Sequence, residues 1–333
     1  MNIAWFWLLS GMLTAYAILD GYDLGVGMLH LWVARSNPER RTCLAAIGPV
    51  WNGNEVWLIA AGGMLVVSFP RVYAAGFSGF YLALMLVLWL LIARGVAIEF
   101  RGQIVHPLWH TFWDVSFALA SLLLAFLLGV ALGNVLRGLP VAADGNFQGT
   151  FALLLNPYAL LTGMLSVVVL AWHGANYLRA KTEGDVQGRA RRTAARLGWA
   201  VLVLVALVTL VTALGGYADH FMQRPLAWLF PLATLLALGM GLRSGSGDIT
   251  AFRASSLLIL GLMGSAAATV FPALLRSTVD ARFSLTVYNA ASSPYALRTS
   301  FIANVVGMLG VALYSFYVHR TFRGKVRGGE GHY

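Results

Sequence analysis

The chain is poor in cysteine, lysine and acidic residues. Its one cysteine, Cys43, excludes a disulfide framework within the chain and a thiolate metal cluster. Only 11% of its 333 residues are Asp, Glu, Lys or Arg, against roughly 25% in an average soluble domain. That scarcity excludes a soluble globular protein, and equally a disordered chain, which needs many charges and few apolar residues. The motifs of soluble enzymes are missing too. There is no phosphate-binding loop, no Gly-x-Ser-x-Gly elbow and no helix carrying paired histidines beside an acidic residue. Arginine is the exception to the scarcity and leaves a net charge of +10. The basic residues lie between apolar runs, where they read as topogenic signals and not as a nucleic-acid surface.

What abounds is apolar side chain: 59% of residues are hydrophobic and the mean hydropathy is +0.74. Apolar runs near 3–31, 47–69, 75–99, 114–136, 152–177, 195–215, 226–242, 253–274 and 300–318 are each long enough to cross a bilayer as a helix. The seventh is the shortest. The prediction is an all-α polytopic membrane protein, a single integral membrane domain over 1–333 with about nine transmembrane helices. Met1-Asn2-Ile3 supplies no basic n-region, so the first run is read as a retained span and not a signal peptide. The run Ser244-Gly245-Ser246-Gly247 is read as loop punctuation.

Orientation follows from charge. With the N-terminus outside and loops alternating, only Arg71, Arg137, Arg224, Arg276, Arg282 and Arg298 fall outside. The other 17 of the 23 basic residues, Arg94 and Arg101 among them, fall inside. That imbalance predicts N-out/C-in. A faint repeat links Leu9-Ser10-Gly11-Met12-Leu13-Thr14 to Leu161-Thr162-Gly163-Met164-Leu165-Ser166, in two spans that run the same way. A parallel duplication would produce it. Helices 1–4 (about 1–140) and 5–8 (about 150–275) would form two four-helix bundles, with helix 9 (about 299–320) as a peripheral addition.

Carboxylates inside spans cost about 2.5–3.5 kcal/mol each on insertion scales, so they mark function or partnered structure. In span 1, Tyr16, Asp20, Asp23, Gly27 and His30 fall on one narrow stripe of a helix. The stripe should face protein, and the glycines around it, Gly21, Gly25 and Gly27, permit close helix approach. Span 2 opens with Trp51-Asn52-Gly53-Asn54-Glu55-Val56-Trp57, where Asn52 and Glu55 are three apart and share a face. Asp23 and Glu55 then lie about 13 Å and 12 Å from the inner ends of their helices. Glu99, at the inner end of span 3 beside Arg101, would form a mouth to this cluster. Carboxyls, amides and an indole N–H at such a depth suit proton transfer; the plainer reading is helix capping and pairing with Arg94 or Arg101. His30, His173 and His319 near helix ends are read as hydrogen-bonded structural residues before haem ligands. His106 and His110 are read as an interfacial polar patch, and no metal site is predicted.

These blocks resemble a known family. Asp20-Gly21-Tyr22-Asp23-Leu24-Gly25-Val26-Gly27, the segment Gly48 to Trp57, and Phe77-Ser78-Gly79-Phe80-Tyr81 are similar to successive signatures of subunit II of cytochrome bd-type quinol oxidases. Weaker similarities follow at Leu155-Asn156-Pro157, from His173 to Gly184, and from Tyr288 to Ser293. The resemblance implies a non-haem subunit of a complex that oxidises ubiquinol and reduces dioxygen in the bacterial cytoplasmic (inner) membrane. It implies haem b and haem d on a partner, subunit I, together with small single-helix subunits and a structural ubiquinone in some members. It also implies a proton path through Trp57, Glu99 and an acidic residue at the position of Asn52. Here that residue is an amide, which holds water but carries no transferable proton; either Glu55, one turn on and on the same face, supplies the carboxylate instead, or protons enter mainly through subunit I. Protons taken from inside while quinol releases its own outside would store about 2.3 kcal/mol per charge per 100 mV.

Two other classes compete: a cation-coupled secondary transporter, and a catalytically inert membrane scaffold. Against the transporter, the carboxylates cluster toward the inner side and no pair of broken helices marks a substrate site. A reporter enzyme fused within residues 179–196 tests the topology. Cytoplasmic activity is the expected result, and periplasmic activity would invert the whole assignment.

Overall fold

Proline in the first turn sets several helix starts, because its missing N–H is not needed there and its φ is already helical. The computed structural model describes residues 1–326 apart from 219, 220, 222, 223, 244 and 246. Ser244 and Ser246 of the Ser/Gly run, and Arg327 of the basic tail, lie outside the described residues. The helices are α1 (Asn2–Val33), α2 (Asn37–Ile47), α3 (Trp51–Ser68), α4 (Pro70–Gly79), α5 (Tyr81–Phe100), α6 (Pro107–Arg137), α7 (Phe151–Leu154), α8 (Pro157–Lys181), α9 (Gly184–Leu214), α10 (Leu229–Leu242), α11 (Asp248–Val270) and α12 (Pro294–Thr321). A short antiparallel pair, β1 (Ala273–Leu275) and β2 (Leu285–Thr286), closes the loop before α12.

Among the described residues, eight helices are long and apolar enough to cross a membrane: α1, α5, α6, α8, α9, α10 with its leading turn from Pro225, α11 and α12. The expected second span corresponds to α3, which is not one of the eight. Its first turns carry Asn52, Asn54 and Glu55, which dilute its apolar character. The helices also outrun the apolar runs. Only Thr182 and Glu183 separate α8 from α9, so Arg189, Arg191, Arg192 and Arg196 ride on the first turns of α9 and not in a loop. Arg94 corrects the charge reading more sharply. It sits inside α5, fully buried, and serves an internal ion pair instead of a loop.

The long helices pack in two comparable sets. In the first, α1 meets α3 and α6, and α5 meets α6; in the second, α8 meets α9 and α11, and α10 meets α11. The sets join where α1 and α6 lie against α8, while α12 rests mainly on α3. The join is built on glycine. A Cβ on Gly25 would stand 2.7 Å from the Gly174 Cα and press on the Leu170 carbonyl, so the two backbones touch directly. Such contact needs small residues, because lipid supplies no hydrophobic drive between helices.

The contacts at this crossing are reciprocal. Leu9 and Leu161 define an offset of 152 residues. Gly21 faces Leu170, and the exchanged pair, Ile18 and His173, is joined by a 2.9 Å hydrogen bond. Gly25 meets Gly174, and the exchanged pair, Tyr22 and Tyr177, stacks with ring centroids 4.1 Å apart. Exchange of this kind is what a two-fold relation between α1 and α8 produces.

On the face that carries the basic helix ends, α2 is held by Glu39. Its carboxylate accepts from the Arg35 and Ser36 backbone N–H groups and pairs with Arg189 at 2.6 Å. Burial opposes ionisation there, but the Arg189 guanidinium and the two N–H donors prevail and hold the carboxyl below its ordinary range. Burial pushes the neighbouring Cys43 thiol up to about 12, so it behaves as a small apolar side chain.

Gly25→Ala is expected to destabilise the protein by about 1–3 kcal/mol through overpacking. Gly11→Ala, with open space around it, serves as the neutral control. Thermal unfolding in detergent separates the two.

A candidate proton-handling site at the α1, α3 and α5 contact

Periodicity puts Tyr16, Asp20, Asp23, Gly27 and His30 on one side of α1, and all five are buried. Arg94 supplies the first partner. On α5 the buried residues Arg94, Ala97 and Ile98 recur at helical spacing, continued by buried Arg101 at the C-terminal end, and this face turns inward. The Arg94 guanidinium grips Asp20 in bidentate fashion, Nη1 to Oδ2 at 2.9 Å and Nη2 to Oδ1 at 2.7 Å, with both side chains sealed from solvent. Glu55 on α3 approaches the same Nη2 at 3.3 Å. The angle there falls short of a hydrogen bond, so Glu55 contributes charge and not a fixed contact.

Asp23 is held differently. Its Oδ2 accepts from the Asn54 amide at 2.8 Å, while its Oδ1 is buried without a hydrogen-bond partner. The same Asn54 nitrogen donates to the Tyr22 hydroxyl at 2.8 Å. Tyr22 in turn lies 3.1 Å from Nε2 of His319 on α12. Nδ1 of His319 is 2.8 Å from the Ser315 carbonyl, which only accepts. Neutral His319 therefore carries its proton on Nδ1 and accepts from Tyr22 at Nε2. A directed chain thus runs from Asn54, which also holds Asp23, through Tyr22 to an exposed imidazole at the edge of the chain.

The structure sorts the residues singled out from sequence. Asp20, Asp23 and Glu55 converge, as does Asn54. Asn52 is exposed and away from them, because Asn54, two positions on, faces α1 instead. Trp57 packs with the apolar cluster around Trp5, Phe6 and Met64, and its buried indole N–H has no partner. Glu99 is exposed and lies off the Arg94 face of α5, so it does not join the cluster. Among the motif glycines, Gly21 and Gly25 seat α8, Gly27 seats Ser121 of α6, and Gly53 seats Tyr314 of α12; Trp51 covers Gly95 of α5.

A second ion cluster escaped the sequence reading. Asp114 on α6 accepts from Arg101 at 2.6 Å and Arg40 at 3.0 Å, with His30 Nε2 at 3.5 Å. It ties α1, α2, α5 and α6 together. The signal was present, since Asp114 opens the fourth apolar run and a carboxylate there is costly. Three histidines have defined surroundings. His30 Nδ1 bonds the Gly27 carbonyl while its Nε2 faces Asp114 at 3.5 Å without a hydrogen bond, both nitrogens of His173 are engaged by Ser255 and Ile18, and both of His319 are engaged as above. No group of three potential metal ligands occurs among the described residues. His106 caps α6, its Nδ1 accepting from Leu108.

A polytopic all-helical subunit with charged and hydrogen-bonded groups sealed inside is an integral membrane protein of the kind that handles charge within the bilayer. Residues 1–322 match the family model for cytochrome bd terminal oxidase subunit II, and the chain belongs to that family. It is 33% identical to cytochrome bd-I ubiquinol oxidase subunit 2 of Escherichia coli K12, over 98% of this chain and 95% of that one. It is 33% identical to cytochrome bd ubiquinol oxidase subunit 2 of Bacillus subtilis 168, over 95% of each. The fold matches a chain of the bd oxidase from Geobacillus thermodenitrificans with a TM-score of 0.73 at 20% identity, covering 96% of this chain and 98% of that one. The family makes this chain a subunit of a terminal oxidase, multi-pass in the bacterial inner membrane, within a haem-containing complex that includes subunit I. It favours this assignment over the secondary-transporter reading.

Arg94→Gln leaves Asp20 without its cation and is expected to destabilise the protein by about 3–5 kcal/mol. Asp20→Asn combined with Arg94→Gln should recover much of that loss. Assembly yield and unfolding temperature of the complex measure both.

Proposed function

We propose that this subunit supports the haem-bearing subunit I and delivers protons to it from the cytoplasm, with N-out/C-in orientation and α3 as the ninth span. The haems of the partner supply the dioxygen chemistry, and ubiquinol, named in the relatives, is the electron donor. Helices α1–α6 and α8–α11 act as two bundles of one membrane domain, with α12 peripheral.

One observation carries the proton reading: among the described residues Asp23 has no cation within ion-pair distance, keeps a buried oxygen without a hydrogen bond, and connects by hydrogen bonds through Asn54 and Tyr22 to the exposed His319. Asp20 has the opposite character. Arg94 fixes it in place, so it anchors the cluster and is a poor carrier. Glu55 is the intermediate carrier, part-exposed and 3.3 Å from Arg94 without a hydrogen bond. Two carboxyls, Asp20 and Glu55, share one guanidinium and Asp23 has none within ion-pair distance, so a proton can reside on Asp23 or Glu55 while the Asp20–Arg94 pair stays intact. Water completes the path past Asn54, because an amide orients a proton carrier without itself exchanging protons at neutral pH. Glu99 and Asn52, on the outward sides of α5 and α3, would then serve the contact with subunit I and its own water. Trp57 would line the route by packing.

Asp23→Asn and Glu55→Gln should each lower quinol-dependent oxygen consumption by about tenfold or more, with the haem spectrum and subunit stoichiometry unchanged. Unchanged turnover and an unchanged pH profile in both would refute proton delivery. Loss of assembly with normal specific turnover of the remainder would leave a scaffold.

A further inference from the structure

Arginines on the first turns of α9 sit on a face that the proton reading does not use. Arg35, Arg189, Arg192 and Arg196 line an open cavity of about 390 Å³ between the end of α1 and the start of α9, together with Leu31, Trp32 and Thr193. Arg189 is spent on Glu39 and the Val33 carbonyl, and so holds the wall. Arg35, Arg192 and Arg196 are exposed, and none has a carboxylate within ion-pair distance among the described residues. Three uncompensated guanidinium groups around a concavity form a strong anion site, and their forked N–H groups suit phosphate oxygens.

The apolar surroundings narrow the anion. Arg192, Arg196, Trp199, Val203, Leu207, Leu210 and Leu214 succeed one another at three- and four-residue steps, so they form one stripe on α9, and all are exposed. Charge lies at one end of the stripe and some four turns of bare hydrocarbon follow. Trp32 on α1, 70% exposed, stands at the level of the arginines, where an indole marks the membrane–water interface. A free phosphate would use the arginines and ignore the stripe. A molecule with a phosphodiester and long acyl chains uses both.

We propose that this face binds an anionic glycerophospholipid, its phosphate held by Arg35, Arg192 and Arg196 and its acyl chains laid along α9 from Trp199 to Leu214. Basic pockets between helices at the membrane surface recognise anionic headgroups in this way. The inference stands apart from the proton path, since none of these residues belongs to it.

The test uses the delipidated two-subunit complex in detergent, titrated with phosphatidylglycerol or phosphatidylcholine of identical acyl chains and followed by native mass spectrometry. The unaltered complex should retain one tightly held phosphatidylglycerol that the Arg35→Gln, Arg192→Gln, Arg196→Gln variant lacks. Affinity should fall about fivefold for each arginine removed, and the Arg192→Lys, Arg196→Lys variant, which keeps the charge and loses the fork, should bind between the unaltered complex and the triple variant. Equal occupancy in the variant, or equal binding of phosphatidylcholine, overturns the proposal. Competition by glycerol 3-phosphate as strong as that by phosphatidylglycerol also overturns it, since the apolar stripe would then contribute nothing. Should the variant fail to assemble, a photoreactive phosphatidylglycerol applied to the unaltered complex decides. Label on peptides spanning 192–214 supports the site. Label only elsewhere marks this face as a protein contact and removes it.

Discussion

A guanidinium and a carboxylate closed off from both water and lipid hold the first half of the molecule together. Hydrocarbon cannot solvate Asp20 or Arg94, so each must find the other, and the two-point grip fixes how α5 lies on α1. Once that geometry is set, α3 has one place to go, with Glu55 beside the cation and Asn54 against Asp23. Asp114 repeats the logic nearer the membrane surface, where it draws Arg40 and Arg101 onto α6. Asp248 does so in the other half with Arg179 and Arg191. Polar pairs thus set the register of helices whose apolar surfaces alone would slide.

Between the halves, the glycine crossing does a different job. Gly25 and Gly174 bring two backbones into contact, and the residues around them exchange partners across an approximate two-fold axis. The symmetry is one of backbone packing and does not extend to chemistry. Asp23 on α1 corresponds to Ala175 on α8 under the 152-residue offset, and Asp20 to Trp172. At these two positions one half keeps ionisable groups and the other presents a packed apolar surface in their place.

Much of this was legible in the sequence, because a bilayer leaves so few choices. Length and hydropathy mark the helices, and the cost of buried charge singles out Asp20, Asp23 and Glu55. A rule about loop charges treats every arginine alike and so counts Arg94 among them, while the plainer reading of the span carboxylates, pairing with Arg94, is the one its buried neighbours at helical spacing support. Spacing puts Asn52 on one face with Glu55, whereas the rotation of α3 that turns Asn54 onto α1 is set by contacts that no local pattern encodes. The Tyr22–His319 contact joins residues 297 positions apart, and no local spacing rule reaches that far. Glu99 shows the limit from the other side: it is where the sequence says, at the end of its helix, yet it looks outward.

The thin seating of α12 bears on assembly. This helix touches the rest mainly along α3, where Tyr314 covers Gly53, and it meets α1 through the Leu297 carbonyl, which accepts from Trp5, and through His319, which pairs with Tyr22. Most of its surface is exposed, so a chain cut short before Pro294 gives up little packing but leaves the Tyr22 hydroxyl without its imidazole.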